Sequence, residues 1–401
     1  MKTTKHIILG LLAALPVLPA NALEIDGLNG ELLLDGRLRF ESANTTGLKE
    51  SDALTYRLRL GYQAELSDFV TLLAEGEFTV DTTLGDYDAY PNAEGDNGYT
   101  LIADPQNVEL NRFQLDFDFE PVKAVVGRQR IIRNNARFVG NVGWRQNEQT
   151  FDAVALSASP IEGLELYYAY LDTAHRIFGQ RASASALKKW EMDNHVIEAS
   201  YAAPADIKVG AYAYLFEIKT DASASSDTYG VWASGDLGLD AEDQTLSWRV
   251  EWARQSDNNL SDGDFENDYY HFNLAAKLAD LGTFTVGYEI LEGNGERGFS
   301  TPLATLHAHN GFADAFLSTP ANGLVDLYIK AATKFGDNLS AALIYHDFEA
   351  ETGSVDFGEE IDVVVGYKIS ESLSTTAKLA VFDGKAYANI TKLWVQLDMK
   401  F

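Results

Sequence analysis

Arginine is concentrated in the stretch Gly127–Asp152, where it offers the chemistry of anion attraction. The stretch holds five arginines and a single acid, Glu148, before the closing Asp152, in a chain with 60 acidic and 31 basic residues and a net charge of −29. The five are Arg128, Arg130, Arg133, Arg137 and Arg145. Residues 122–131 and 151–159, on either side, have strand-like sequences. A long basic connection between two strands predicts a segment that folds into a pore, provided that the remaining strands form a barrel.

The N-terminus has the three parts of a secretory signal. Lys2 and Lys5 form a basic start, Ile7–Leu18 is an apolar run, and residues 20–22 form a small-x-small cleavage site. The apolar run is too short for a membrane-spanning helix. We therefore expect residues 1–22 to be a signal peptide and residues 23–401 to form a single domain.

Composition excludes several classes of protein. A strongly acidic exported chain repels the phosphates of nucleic acid, so no nucleic-acid partner is expected. The chain has no cysteine, so its stability owes nothing to disulfides. Mean hydropathy is −0.16, and no apolar run after the signal is long enough for a transmembrane helix. A transmembrane β-barrel gives the same weak signal, because lipid-facing and lumen-facing residues alternate.

Period-two alternation marks the strands. In Leu32–Glu41 the apolar side chains lie on one face and the charged ones on the other. The segment Thr55–Leu66 is clearer still: Tyr56, Leu58, Leu60, Tyr62, Ala64 and Leu66 oppose Arg57, Arg59, Gln63 and Glu65. A soluble β-sandwich would show the same pattern, so alternation alone does not decide the architecture.

The lengths of the connections favour a barrel. Short turns are predicted at Ser67–Phe69, Pro160–Gly163, Ala203–Asp206, Gly238–Asp243, Ala279–Gly282, Gly336–Asn338 and Ser370–Ser372. They alternate with longer loops at Asp81–Gln106, Asp172–Asp193, Thr220–Asp227, Asp257–Asn267, Glu292–Gly323 and Glu349–Glu359. Short periplasmic turns and long external loops are typical of outer-membrane barrels. We predict an all-β fold, a transmembrane antiparallel up-and-down β-barrel of about eighteen strands with both mature termini periplasmic.

Aromatic residues mark two further features. The last strand, Thr391–Phe401, alternates up to a terminal Phe401, which resembles the C-terminal signal that the outer-membrane assembly machinery reads. The alternative is a last strand that happens to end in Phe, and the signal peptide together with the sorting of the loops by length favours the assembly signal. Rings near strand ends, among them Tyr167 and Trp252, fit either the interfacial girdles of a barrel or ordinary packing.

Charged residues on the inward faces would set the selectivity of an aqueous lumen. The first two strands contribute Arg37, Arg39, Arg57 and Arg59. One interpretation is a basic track that passes anions, and the other is a cross-strand ladder of Arg–carboxylate pairs that stiffens the wall. The ladder is favoured for Arg57 and Arg59. The pore is favoured for Arg133, Arg137 and Arg145.

The central stretch also resembles a known family. GRQRI followed by RFVGNVGWRQNEQTFDAV is similar to the signature of the alginate export outer-membrane family, over roughly Glu109–Leu156. The resemblance implies an eighteen-stranded barrel in which arginines of this region line a constriction that attracts a uronate polymer. The matching arginines are Arg128, Arg130, Arg137 and Arg145. Trp144, Asn147 and Gln149 would contact sugar or brace the segment.

The outward loops oppose the exit of a polyanion. Asp257–Asp268 carries five acids and Glu349–Asp362 six, with no Lys or Arg in either, and no periplasmic turn is long enough to form a gate. These acids would attract cations at the mouth, bind divalent cations or lipopolysaccharide, or simply be solvated.

Catalytic patterns are weak. His307 and His309 sit two apart without a partner cluster, and His271 or His346 could serve as the base of an outer-membrane lipase, although no serine motif marks a nucleophile. No enzyme activity, cofactor or metal is expected.

We predict a monomeric channel in the bacterial outer membrane that passes small anionic or polar solutes, with uronate-type saccharides as one candidate class. Its expected partners are the lipid bilayer with lipopolysaccharide, the solute, and the assembly machinery. The alternatives are a general diffusion porin with cation-attracting loops, and a plugged barrel that acts as an enzyme or adhesin.

Overall fold

A computed structural model describes residues 29–82, 84–91, 98–239, 244–261 and 263–401. The predicted signal peptide, residues 1–22, lies outside the described residues. The strands are β1 Gly30–Thr45, β2 Ser51–Ser67, β3 Val70–Asp81, β4 Asn107–Phe119, β5 Val122–Gln129, β6 Thr150–Ala158, β7 Leu164–His175, β8 Lys189–Ala203, β9 Ile207–Phe216, β10 Ser226–Gly238, β11 Gln244–Ser256, β12 Glu266–Leu278, β13 Gly282–Leu291, β14 Leu324–Phe335, β15 Leu339–Glu349, β16 Asp356–Lys368, β17 Leu373–Gly384 and β18 Ile390–Lys400.

The eighteen strands form one closed antiparallel sheet. Each strand pairs with the next in sequence, and β1 pairs with β18 from Asp35↔Lys400 to Thr45↔Ile390. Closure leaves no unpaired strand edge, which a bilayer requires because lipid cannot hydrogen-bond to the backbone. The predicted architecture, strand number and alternation of short and long connections are confirmed.

The alternation seen in the sequence separates the two faces of the wall. In β2, Arg57 and Arg59 are buried inside, whereas Leu60 keeps 42% of its surface exposed on the outside. Tyr167 follows the ordinary-packing alternative: it shares the inward row of Ala169 and Leu171 and lies under the guanidinium of Arg133. The apolar outer face is the surface that lipid would cover.

Helices are few and short. The one α-helix of the described residues, α1, is Ser185–Lys188, and 3₁₀ turns cover Ala222–Ala224, Ala279–Leu281 and Leu306–Ala308. None of the helices in the described part of the chain has the length and apolar character needed to cross a membrane.

The hydrophobic core lies inside the barrel. Connections between strands fold into the lumen, among them the first inward loop, residues 130–149, and the second inward loop, residues 292–323. Phe138 of the first loop meets Phe299 of the second at 6.0 Å between ring centroids and Tyr269 of the wall at 5.5 Å. The long-loop end of the lumen is therefore filled by protein.

Candidate pore constriction

The first inward loop turns sharply where it enters the lumen. Asn134, Ala136 and Val142 adopt positive φ angles of 49°, 60° and 51°. A Cβ on Gly140 would lie 2.2 Å from the Thr305 hydroxyl of the second inward loop, so this contact between the two loops requires glycine. The first inward loop therefore packs directly on the second.

Glu148 anchors the first inward loop at its C-terminal end. Its fully buried carboxylate accepts hydrogen bonds from Arg130 at 2.5 and 2.7 Å, and from Asn111 and Asn141 at 2.7 Å each. Arg59 of the wall lies 3.6 Å away. Burial raises the pKa of Glu148, but the attraction of Arg59 and Arg130 outweighs burial and holds that pKa at about 2.

A β-bulge in the wall brings two further side chains to this anchor. β4 has one extra residue opposite Glu75 and Gly76, so Asn111 and Arg112 both reach the Glu75 carboxylate. Asn111 donates to it at 2.8 Å, and Arg112 donates two bonds at 2.7 and 2.8 Å. Asn111 thus bridges Glu75 to Glu148, which joins the wall to the loop.

Trp144 lies at the centre of a cationic and aromatic cluster. The Arg39 guanidinium lies 4.2 Å and the Lys378 ammonium 4.0 Å from its ring centroid. Its indole stacks on His307 of the second inward loop at 4.8 Å and meets Trp394 edge-on at 5.8 Å. The backbone carbonyl of Trp144 also accepts a 2.6 Å bond from Arg39. Cation–π and hydrogen-bond contacts thus fix Trp144 as a structural brace.

Arg145 connects the wall to both loops. Its guanidinium donates to Glu41 of β1 at 3.1 and 3.2 Å and to Asp314 of the second inward loop at 3.1 Å. Asp314 in turn binds Lys392 of β18 at 2.8 Å. The buried side chain of Arg145 has no open path to a solute in this arrangement.

Arg137 connects the first inward loop to the opposite wall. It donates to Glu289 at 2.9 Å, to Asn310 at 3.1 Å and to Thr301 at 3.4 Å. The Tyr269 hydroxyl donates to the same Glu289 carboxylate at 2.7 Å, and so does Asn310 at 2.6 Å. We call Arg137, Glu289 and Asn310 the septum.

The two predicted amides brace the loop. Asn147 accepts a 2.8 Å bond from Thr79 and donates to the carbonyl of Ile177 at 3.0 Å. Gln149 donates to the carbonyl of Leu303 at 3.2 Å. Both side chains are buried, which matches the bracing alternative rather than direct sugar contact.

The predicted arginines differ in access to the lumen. Arg130 and Arg133 keep 30% and 27% of their side chains exposed, although Arg130 binds Glu148 and Arg133 binds Glu198. Arg37 is mostly buried against Asp398 at 2.7 Å. The arginines with nearly inaccessible side chains are Arg39, Arg57, Arg59, Arg137 and Arg145. Arg57 pairs with Asp35 and Arg59 with Glu77, across neighbouring strands.

Arg128 differs from its predicted pore-lining position. It pairs in register with Phe113, whose ring is on the outer face, and with Asp152. Its guanidinium donates to Asp152 at 2.8 Å and to the carbonyl of Leu110 at 3.0 Å. β5 ends one residue later, so Arg128 closes the wall where the chain turns inward.

Two cavities lie on either side of the septum. The outer vestibule, about 870 Å³, is lined by external-loop residues and by Arg137. The inner cavity, about 410 Å³, is lined by wall residues such as Arg249 and Tyr328, and by Glu289 and Asn310. The contacts between Arg137 and these two residues separate the cavities.

The second inward loop was missed as part of the site. Its His307, Asn310 and Asp314 contact the first inward loop or its partners, although His307 looked accidental in the sequence. The length of the connection Glu292–Gly323 was the signal, since connections longer than about 15 residues are usually either functional or disordered. Arg176, which lines the vestibule, carried no such signal.

Catalytic arrangements gain no support from the described residues. His346 binds Asp326 at 2.8 Å and His271 meets Tyr328 at 3.2 Å, and neither imidazole bonds to a serine in the described part of the chain. Within the same residues, no group of three or more His, Cys, Asp or Glu side chains could hold a metal ion.

Known proteins resemble the chain in structure rather than in sequence. No family model and no curated protein matches it, so the resemblance to the alginate export family stays a prediction. OccAB4 of Acinetobacter baumannii is similar at 12% identity and a TM-score of 0.73, covering 94% of this chain and 100% of that one. OpdK of Pseudomonas aeruginosa, solved with vanillate, is similar at 15% identity and a TM-score of 0.73, covering 94% of this chain and 100% of that one.

OccK9 of Pseudomonas aeruginosa gives 14% identity and a TM-score of 0.73 over 92% and 98% of the two chains. OpdK is described as an outer membrane protein. Such low identities establish the fold alone. The chain has the closed eighteen-strand β-barrel fold of outer-membrane porins, and the apolar outer face of that barrel places it in the bacterial outer membrane.

Proposed function

We propose that the chain is a passive outer-membrane channel for small anionic or polar solutes. The observation that carries the proposal is the septum, where Arg137 faces the outer vestibule and its partners Glu289 and Asn310 face the inner cavity. A solute that enters the outer vestibule would meet the Arg137 side of the septum, which separates two water-accessible spaces. Transport, rather than catalysis, is the function that this arrangement supports.

The charges of the lumen favour weak contacts. Arg130 and Arg133 keep part of their surface exposed while a carboxylate neutralises each one. A compensated arginine attracts an anion less strongly than a free one, and conduction requires binding sites that release the solute. The basic constriction therefore acts through several partly neutralised guanidinium groups.

Sugar acids are the solute class that we favour. The first inward loop carries the sequence that resembles the alginate export family. OpdK was solved with vanillate, a small carboxylate. The filled lumen and the acidic outer loops support passage of short uronates over a long polyanion, since like charges at the mouth repel a polymer over a range of about 8–10 Å.

Several other features belong to the proposal. Residues 1–22 act as a signal peptide, and residues 23–401 form a monomeric barrel in contact with lipid and lipopolysaccharide. Phe401 would present the terminal aromatic to the assembly machinery. Its backbone exchanges two hydrogen bonds with Leu34, at 2.8 and 3.1 Å, at the seam between the first and last strands.

A general diffusion porin that prefers cations is the second candidate. The net charge of −29 and the acidic loops favour it. A plugged barrel that acts as an enzyme or adhesin is the third, because core residues fill much of the lumen.

Conductance of purified folded protein in planar bilayers separates these functions. We expect an anion-selective reversal potential in a salt gradient and blockage of current by added uronate oligomers. Arg133→Gln should weaken both, whereas Arg254→Gln on the outer face should change neither. A cation-selective potential would support the diffusion porin, and no conductance at all would support the plugged barrel.

A further inference from the structure

Arg176 departs from the charge pairing of the other interior arginines. Arg39, Arg57, Arg59, Arg137 and Arg145 each form an ion pair. Arg176 forms none with any described residue, although it lines the outer vestibule of a chain that carries about twice as many acids as bases. An unpaired, half-buried guanidinium is costly to maintain, which points to an anion that arrives from outside.

The side chain of Arg176 is held in place by neutral groups. One Nη atom donates to the carbonyl of Ala186 at 2.9 Å, and the guanidinium lies 3.9 Å from the ring centroid of Trp190. Stacking fixes the plane of the guanidinium and leaves its other N–H groups for a ligand. Burial lowers the pKa of Arg176 to about 10, against the opposing influence of Asp221, so the charged form gains from a bound anion.

The remaining lining of the vestibule suits hydroxyl groups. Its hydroxyl-bearing side chains are Ser223, Ser300, Thr301, Ser318 and Thr319. Asp221, Asp264 and Glu296 also line it, together with Arg297, whose guanidinium lies 3.8 Å from the ring centroid of Phe265. The carboxylates can accept hydrogen bonds from sugar hydroxyls. Such a lining orients a solute that has one carboxylate and several hydroxyls.

We propose that Arg176, stacked on Trp190, anchors the carboxylate of a sugar acid in a capture site in the outer vestibule. This inference deepens the proposed channel function and rests on it. The captured solute lies in the same cavity as Arg137, so release from Arg176 delivers it to the septum. Arg176 binds the solute, and Arg137 separates the vestibule from the inner cavity.

Ligand-observed NMR titration of the detergent-solubilised full chain with galacturonate tests the site. We expect Arg176→Gln to weaken binding about tenfold or more, because it removes a charge-assisted pair of hydrogen bonds. Arg181→Gln is the matched control: it removes the same charge from an exposed position of the same loop, where Arg181 donates to Gln106, and should leave binding within about twofold. Equal affinity of the Arg176→Gln variant and the native chain would overturn the proposal.

Two further comparisons test the ligand class. Benzoate has the carboxylate without sugar hydroxyls, and galactose has the hydroxyls without the charge, so both should bind more weakly than galacturonate. Benzoate that binds as tightly would overturn the assignment to sugar acids. If Arg176→Gln does not fold, Arg176→Lys, which keeps the charge but not the planar fork, should still weaken binding, and unchanged affinity would refute the site.

Bilayer conductance distinguishes this inference from the channel function. If the native chain conducts and the Arg176→Gln variant binds galacturonate with unaltered affinity, the capture site is refuted and the channel function stands. If the native chain binds galacturonate through Arg176 but does not conduct, the channel function is refuted and the chain is a binding protein.

Discussion

The carboxylate of Asp314 lies 3.1 Å from the guanidinium of Arg145, and this contact joins the two loops that fill the barrel. The same carboxylate binds Lys392 at 2.8 Å and His307 at 2.7 Å. The single negative charge of Asp314 is thus shared by two positive charges, Arg145 of the first inward loop and Lys392 of the wall. The second inward loop can leave the lumen only by breaking its contacts with Arg145 and Lys392.

Asp314→Asn should release the second inward loop. Removing one member of a buried ionic cluster typically costs about 3–5 kcal/mol, because the remaining charges lose their partner. Single-channel conductance should rise and become noisier. Asp383→Asn, at an exposed pair with Lys385, is the control and should leave the current unchanged. Unaltered conductance in Asp314→Asn would show that the loop is held elsewhere.

Arg137→Gln should shift selectivity toward cations. The substitution leaves the Glu289 carboxylate without its ion pair at the septum. If the electrostatic interaction between a septum charge and a passing ion is about 1 kcal/mol, removing that charge changes the ratio of anion to cation permeability about fivefold. Glu289→Gln should shift the reversal potential in the opposite direction, and the double variant should return close to the native value. If both single variants shift the potential the same way, the septum acts by steric fit rather than by charge.

Glu148→Gln should destabilise the barrel and raise anion preference together. Arg59 and Arg130 lose the carboxylate they share, and Arg130 is already partly exposed. We expect the unfolding temperature of the variant to fall. The measurement is the temperature at which heating shifts the electrophoretic mobility of the barrel from the folded to the unfolded band. Glu165→Gln removes an acid from an exposed pair with Lys208 and should behave like the native chain. A normal unfolding temperature for Glu148→Gln would mean that the loop does not need this anchor.

Acidification should loosen the second inward loop through His307. Burial, with a smaller contribution from Lys378, lowers the pKa of His307 to about 3, against the opposing effect of Asp314. The geometry agrees: Nδ1–H donates to Asp314 at 2.7 Å, and Nε2 accepts from Lys378 at 2.8 Å. A free loop would bind the proton near pH 6.5, so docking loses stability as pH falls from about 6.5 to 3, by about 1.4 kcal/mol per unit.

Bilayer recordings between pH 7 and pH 5 test this dependence, because a free imidazole binds its proton within that range, while the Glu148 anchor, with a pKa of about 2, stays ionised. Opening events should become more frequent as the pH falls in the native chain, and less steeply so in His307→Gln. Burial also lowers the pKa of His309 to about 3, so His309→Gln is needed to separate the two histidines. Identical pH profiles for the native chain and both variants would contradict the mechanism.

The barrel could be predicted because its causes are local. Apolar and charged side chains alternate in segments such as Thr55–Leu66 because successive side chains of a β-strand point to opposite faces. Short and long connections alternate because an up-and-down barrel places them at opposite ends. The inward folding of residues 130–149 could also be predicted, since an arginine-rich connection does not suit lipid. The predicted strands at residues 122–131 and 151–159 lie within about two residues of β5 and β6 at each end.

The partners of the arginines could not be predicted. Arg137 binds Glu289 and Arg145 binds Asp314, each more than 150 positions away in the chain. No local pattern selects one acid among 60 at such separations. The position of Arg128 depends on where β5 stops, and Gly127, with a φ of 119°, marks that point only once the backbone is seen.

The seam between the first and last strands has a consequence for biogenesis. Arg39 on β1 donates both to the carbonyl of Trp144 and to Gln396 on β18. The final surroundings of Trp144 include groups from both ends of the chain, so we expect the first inward loop to dock late in folding. Indole fluorescence that changes before the cylinder closes during refolding would contradict this order.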